Sequence, residues 1–139
     1  MANENEQVVL RYKEMWNTRN HNIADEIIAP DYVGHDPLTP TAGPAGVKTA
    51  VQQVLAAFPD LQFTRDETFS SADRVVTRWT LSGTHRGEFK GVPPTGRAVT
   101  ISGITVYRLV NGKIAESWSQ WDTLGLMQQL GVVRNTKAA

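Results

Sequence analysis

Asn111-Gly112 separates two long β-favouring runs, RAVTISGITVYRLV at 97–110 and KIAESWSQWD at 113–122. An Asn-Gly pair suits the two central positions of a tight hairpin turn, where φ is positive and the twist matches that of the flanking strands. The sequence therefore predicts a long antiparallel hairpin. Gly103, inside its first arm, marks a point where such a strand can curve strongly. Upstream, a period of two runs through two further strands: about 61–71, with Leu61, Phe63 and Phe69, and 74–84, rich in Val, Thr and Trp. Ser71-Ala72-Asp73 turns the chain between them.

The first half of the chain keeps a helical period. Val8, Val9, Tyr12, Met15 and Trp16 recur at three and four residues, which predicts a helix over 5–19 broken at Asn20-His21-Asn22. Ile23, Ile27 and Ile28 predict a short second helix closed by Pro30. APDYVGHDPLTPTAGP reads as loop, with a short extended piece at Tyr32-Val33. Val47, Val51, Val54, Leu55 and Phe58 set a third helix over 44–58, with Pro44 in its first turn. Leu124, Met127 and Leu130 predict a short C-terminal helix ending at Gly131, and RNTKAA a frayed tail. Three helices followed by four antiparallel strands give an α+β fold with the helices on one face of the sheet. A sheet curled over them makes a cone with a pocket inside. Neither a repeat nor a linker divides the chain, so a single domain over 1–139 is expected.

Fourteen basic and fourteen acidic residues leave no net charge, so nothing favours nucleic acid or an anionic membrane as partner. With no cysteine there is no thiolate nucleophile or Cys-ligated metal. The three histidines, at 21, 35 and 85, form no i, i+4 pair, and HExxH, GxGxxG and GxSxG are all missing. MANENEQ lacks the basic and apolar regions of a signal peptide, and no apolar run approaches the ~18 residues of a membrane span. A cytoplasmic protein without metal or cofactor is the expectation.

Asp122 is the leading catalytic candidate, a carboxylate at a strand end on the same parity as Glu116, Trp118 and Gln120. If that face lines the cone, an apolar surround raises the carboxyl pKa and suits it to proton transfer. The competing role is the N-cap of the last helix. Ala115, Ser117, Ser119 and Trp121, of opposite parity, would then meet a partner subunit, with Trp121 and Tyr107 exposed for it. His35 is a second catalytic candidate, able to orient a carbonyl or shuttle a proton. Asp36, held extended by Pro37, either fixes the His35 tautomer or closes an Asx turn. Arg78 could polarise a carbonyl, pair with Glu116 or sit in solvent. His85 could reach the cone mouth or simply be exposed, and GVPPTGR could form a stiff lid or a plain connection.

APDYVGHDP, FPDLQF, GTHRGEFKGVPPTGRAVTISG and YRLVNGKIAESWSQWDTLGLMQQLG, in this order over about residues 5 to 133, resemble the SnoaL-like polyketide cyclase (ester cyclase) family of the NTF2-like superfamily. That resemblance implies an NTF2-like cone of about four to six curved strands wrapped on three N-terminal helices, with a short C-terminal helix. It also implies ring closure by intramolecular aldol condensation, without cofactor or metal, on a small hydrophobic carbonyl-bearing substrate. Asp122 matches the acid–base carboxylate of that chemistry, while Gln120 stands where the ring-closing enzymes carry histidine. A homodimer or homotetramer is expected. Two other functions remain open. One is a different reaction on the same cone (isomerase, dehydratase, epoxide hydrolase or hydroxylase), with Asp122, Arg78 and Asp36 gathered around a water. The other is a non-catalytic small-molecule binding module.

Overall fold

The computed structural model describes residues 3–133. In chain order it runs α1 (Glu4–Asn17), a 3-10 turn (His21–Ile23), α2 (Ala24–Ile27), β1 (Ile28–His35), β2 (Thr41–Ala42), α3 (Gly43–Ala57), β3 (Gln62–Ser71), β4 (Arg74–Thr84), β5 (Ala98–Val110), β6 (Lys113–Trp121) and α4 (Thr123–Leu130). The tail expected to fray lies outside the described residues.

The hairpin forms where Asn-Gly predicts it, with Asn111 at φ 51° and Gly112 at φ 78°. β5 pairs antiparallel with β6 on one side and with β4 on the other, and β4 pairs with β3. The segment expected to be loop behaves differently. β1 carries Pro30 and runs parallel to β6, while β2 closes the far edge, so the sheet order is β2-β1-β6-β5-β4-β3. Pro30 is tolerated because the β1–β6 register is interrupted between Ile28 and Val33, leaving room in the ladder for a residue without an N–H. The result is a mixed α+β fold: a curved, unclosed six-stranded sheet with the helices packed on its concave side.

α1 starts at Asn3, whose side chain accepts from Glu6 N–H, and it buries Val9, Met15 and Trp16 against the sheet. Asn17 ties the other end down: its amide donates to the Phe63 carbonyl and accepts from the Phe63 N–H. α3 buries Val47, Val51 and Ala57. In β3 a register shift between Arg65 and Glu67 reverses the parity, so Phe69 points outward and is 56% exposed although Phe63 is core.

The concave face carries Val75, Thr77, Trp79 and Leu81 of β4, then Val99, Ile101, Gly103, Thr105, Tyr107 and Leu109 of β5, then Ala115, Ser117, Ser119 and Trp121 of β6. This reverses the expected faces. Tyr107 is buried and Trp121 turns inward, whereas Trp118 and Gln120 are exposed on the convex side. The physical reason is room. A sheet that encloses a cavity needs small residues on its inner face, and Gly34, Gly103, Ala115, Ser117 and Ser119 supply them.

Gly103 is the tightest of these points. A Cβ there would lie 2.5 Å from Trp79 Cζ2, 2.7 Å from Trp121 Cβ and 2.8 Å from the backbone carbonyl oxygen of Gln120. Gly103→Ala is expected to cost about 1–3 kcal/mol through overpacking. Urea denaturation would show a lower midpoint at unchanged slope.

Candidate active site

Between the helices and the inner face of the sheet lies a cavity of two adjoining lobes. The apolar lobe, about 150 Å³, is walled chiefly by Phe58, Leu61, Phe63, Trp79, Leu81, Val99, Ile101 and Leu126. The second lobe, about 480 Å³, runs out past Tyr32, Gly34, Thr39, Gln53, Glu88 and Lys90. Both lobes share Tyr12, Trp16, Asp36, Val54, Phe89, Ser119 and Trp121. Among the described residues, Asp36 is the only carboxylate lining the apolar lobe.

Asp36 follows the last residue of β1, and two donors fix its carboxylate. Trp121 Nε1–H donates to Oδ2 at 3.1 Å, and the Leu38 N–H donates to Oδ1 at 2.9 Å, closing the Asx turn that Pro37 prepares. The chain's three tyrosines line the same cavity. Burial pushes the Tyr12 hydroxyl pKa well up; Tyr32 and, less strongly, Asp36 add to this, while the Trp16 indole opposes it. Burial likewise raises Tyr107, with further contributions from Tyr12 and Tyr32. Tyr32 is raised by burial against the opposing hydrogen bonds of Ser117 and Thr41; its Oη lies 2.7 Å from Ser117 Oγ. Tyr12 and Tyr107 meet edge to face at 5.5 Å. Along the sheet, Trp79 Nε1–H donates to Thr105 Oγ1 at 2.9 Å, and that oxygen is 2.9 Å from Ser119 Oγ.

The residues expected to carry the chemistry are scattered. Asp122 is exposed and caps α4, accepting from Gly125 N–H at 2.8 Å; it is not part of the cavity lining. The gathering of Asp122, Arg78 and Asp36 that an alternative reaction would need does not occur: of the three, only Asp36 lines the cavity. Arg78 lies on the convex face, 3.7 Å from Asp66 and 3.4 Å from Glu67. Glu116 pairs with Arg108 at 3.2 Å and with His35 at 2.8 Å, and these partners, His35 foremost, hold its carboxyl below the usual range. His35 touches the rim of the larger lobe, but its ring stacks on Trp118 at 5.6 Å on the convex side, and Arg74 sits 5.6 Å from the same tryptophan ring. Gln120 is exposed beside it. Only Asp36 of the expected set belongs to both lobes.

His85 is neither exposed nor at the mouth. It is completely buried, its ring lies 5.4 Å from Phe58, and its Nδ1 accepts from Thr95 N–H at 3.2 Å. With His85 N–H donating to Arg97 O and Gly96 N–H donating back to His85 O, it clamps the base of the 86–97 loop. That loop brings Glu88, Phe89 and Lys90 to the larger lobe. Sequence reasoning missed Tyr12, Trp16, Trp79, Thr105, Tyr107, Ser119 and Trp121 as cavity residues. The available signal was the run of small residues at alternate positions of 113–121.

Residues 6–130 match the profile of the SnoaL-like polyketide cyclase family. The chain belongs to that family. Aklanonic acid methyl ester cyclase DnrD of Streptomyces peucetius is 30% identical over 130 residues, covering 89% of this chain and 88% of the relative. Nogalonic acid methyl ester cyclase of Streptomyces nogalater is 31% identical over 121 residues, covering 84% and 89%. Among solved structures, TsrD from Streptomyces laurentii superposes with a TM-score of 0.86 at 27% identity, covering 94% of this chain and 96% of its own. AclR, a candidate hydroxylase from Streptomyces galilaeus, gives 0.85 at 30%, covering 97% and 85%. The protein is thus an enzyme of the SnoaL-like cyclase type on an NTF2-like cone. Among the described residues, no helix is long and apolar enough to cross a membrane, and no group of three His, Asp or Glu side chains could hold a metal ion.

All three tyrosines have folded-state pKa values above the unfolded value of about 10. Their contribution to stability is therefore fully present below pH about 10 and is lost as pH rises through the folded values. A spectrophotometric titration at 295 nm is expected to stay flat past pH 10, with phenolate absorbance appearing together with the loss of far-UV circular dichroism. A tyrosine ionising near pH 10 in the folded protein would contradict the burial described here.

Proposed function

We propose that the cavity closes a ring on a small, hydrophobic, polyketide-like ester by intramolecular aldol addition, with Asp36 carrying the proton. The observation behind this reading is the position of Asp36, among the described residues the one carboxylate lining the apolar lobe, held by a donor on each oxygen. Its ionised form takes the proton from a carbon flanked by carbonyls, and the bonding pair moves onto a carbonyl oxygen as an enolate. The enolate carbon then attacks the receiving carbonyl within the same molecule. A carbon–carbon bond forms, the π pair becomes an alkoxide, and protonated Asp36 returns its proton there. The sequence is a net isomerisation and needs no co-reactant.

Tyr12 and Tyr107 support this chemistry as neutral O–H donors, kept protonated across the working pH range by burial. Hydrogen bonds to a developing enolate oxygen are worth most where water is scarce, and an apolar lobe provides that setting. Ser119 and Thr105 offer hydroxyls for further oxygens of the substrate. Both cyclases described above are named for methyl esters, which matches the proposed substrate class. The enzyme would act in the cytoplasm without a cofactor.

A homodimer is also proposed, through the convex face. There Phe69, Val76, Val106, Trp118 and His35 lie in one row across five strands, because each is the register partner of the next. Phe69 and Trp118 are exposed, flanked by Arg74, Arg78, Arg108 and Glu116. An apolar strip with charges of both signs beside it can pair with its own copy about a two-fold axis. Light scattering on the eluting protein should give twice the chain mass, and Trp118→Glu should halve it while the circular dichroism spectrum is retained. An unaltered mass in that variant rejects this interface.

Turnover of aklanonic acid or nogalonic acid methyl ester is expected to fall about 10²–10⁴-fold in Asp36→Asn. Asp122→Ala should lose a helix cap worth about 1 kcal/mol and keep turnover within a few-fold. Retained activity in Asp36→Asn alongside loss in Asp122→Ala at intact fold would transfer the proton-carrying role to Asp122.

A further inference from the structure

One line of hydrogen bonds crosses the inner face of the sheet, and its direction is fixed at one end. Trp79 of β4 donates Nε1–H to Thr105 Oγ1 on β5 at 2.9 Å, and an indole nitrogen has no acceptor role. Thr105 Oγ1 lies 2.9 Å from Ser119 Oγ on β6, because the two residues are register partners on neighbouring strands. A hydroxyl carries one proton and two lone pairs. With one lone pair of Thr105 taken by the indole, its proton has Ser119 Oγ as the acceptor at hydrogen-bond distance. The Tyr107 hydroxyl also stands near Thr105, which favours its ionised form, and is the competing acceptor. Burial grades along the line. Trp79 is 6% exposed and Thr105 4%, so both belong to the wall, whereas Ser119 is only half-buried and lines both lobes. Once Ser119 accepts from Thr105, its own proton has no protein partner among the described residues and is left for the cavity. Asp36 serves the same section: it lines both lobes and is held by Trp121, one same-face step of about 7 Å along β6 from Ser119.

We propose that the Ser119 hydroxyl is the donor that holds the substrate oxygen on which negative charge gathers, with Thr105 as the positioning residue that turns the Ser119 proton into the cavity. An O–H that itself accepts a hydrogen bond donates more strongly, since each bond in a chain polarises the next. Thr105 supplies that bond from a buried position, and the Trp79 indole keeps Thr105 from reversing. A donor fixed in advance towards developing charge needs no rearrangement as the charge appears. The relay also sorts the two hydroxyls: Thr105 spends its proton on Ser119, and Ser119 offers its own. This deepens the reading of the cavity as the place where an enolate forms, and rests on that reading only for the identity of the oxygen.

The test measures binding to the full chain carrying Asp36→Asn, with 4-nitrophenol and nitrobenzene as probes in weakly alkaline buffer, where the phenol is ionised and coloured. The amide stands for the carboxyl after it has taken up a proton, so Asp36 does not oppose a charged probe. Adding Ser119→Ala is expected to weaken phenolate binding about tenfold and to leave nitrobenzene within about twofold. The visible band of the bound phenolate should also move to longer wavelength, since a donor on the phenolate oxygen holds that band at shorter wavelength. Thr105→Val should weaken phenolate binding by about threefold although it leaves Ser119 in place, and Thr105→Ser should restore it. Phenolate affinity unchanged in Ser119→Ala or in Thr105→Val overturns the proposal. So does an equal loss of both probes, which would mark a packing effect. Tyr107→Phe settles the competing acceptor: a phenolate loss and band shift there, absent in Ser119→Ala, place the donor on Tyr107 and the proposal fails. No turnover enters these readouts. The expected phenolate losses in a protein that cyclises neither ester would sink the aldol reading and leave the relay standing. Ester turnover with phenolate binding indifferent to Ser119 would do the reverse.

Discussion

Two tryptophans from neighbouring strands cover the same point of the sheet because residue 103 has no side chain. Trp79 of β4 and Trp121 of β6 are both register partners of Gly103, and the Trp79 ring and the Trp121 Cβ occupy space that a Cβ would take. The polar part of the cavity hangs from this close approach. Trp79 reaches across to hold Thr105, and with it Ser119; Trp121 reaches the other way to hold Asp36. The hydrophobic effect places the rings, and the rings then aim their N–H groups. Few dedicated polar residues are needed when the bulk that seals a cavity also orders the groups inside it.

Most of the fold was legible where local chemistry speaks alone. Asn111-Gly112 fixed the hairpin, the period of two over 74–84 gave β4 with its observed ends, and the apolar spacing of 44–58 found α3 to within a residue at each end. β1 is legible only at Tyr32-Val33, because its longer-range partner is a parallel strand some eighty residues away, and Pro, Gly and Asp mask the rest of the extended segment. The outward turn of Phe69 depends on a bulge between Arg65 and Glu67 that no alternation announces. Three N-terminal helices, the curled sheet and the short last helix all follow the expected family pattern.

The site was harder, and for one reason. Assigning faces by hydrophobicity assumes that the inner face is filled with large side chains. A sheet wrapped round a cavity inverts that rule on β6, where Ala115, Ser117 and Ser119 face in and Trp118 faces out. Asp122 inherited the wrong face, and its capping role, one of the two kept open, is what its contacts display. Asp36 was visible as a residue but not as a centre, since its neighbours Tyr12 and Trp16 come from α1 and Trp121 from the far end of β6. Tyr12 fits the apolar stripe of α1 like any core residue, and Tyr107 shares the parity that put Trp121 on the outer face, although it is buried.

The parallel pairing of β1 with β6 also governs when the cavity can exist. Asp36 and Trp121 are 85 positions apart, as are Tyr32 and Ser117, and no shorter connection brings either pair together. Contacts of such separation carry a large loop-closure cost and form slowly relative to local hairpins and helices. During synthesis the helices and the β3–β4 hairpin can gather early and β1 can meet β2 and α3, but its inner neighbour β6 is the last strand to appear. A nascent chain therefore holds its aromatic wall and its carboxylate apart until nearly the last residue is added, and the groups that bind and those that react come together in a single late step.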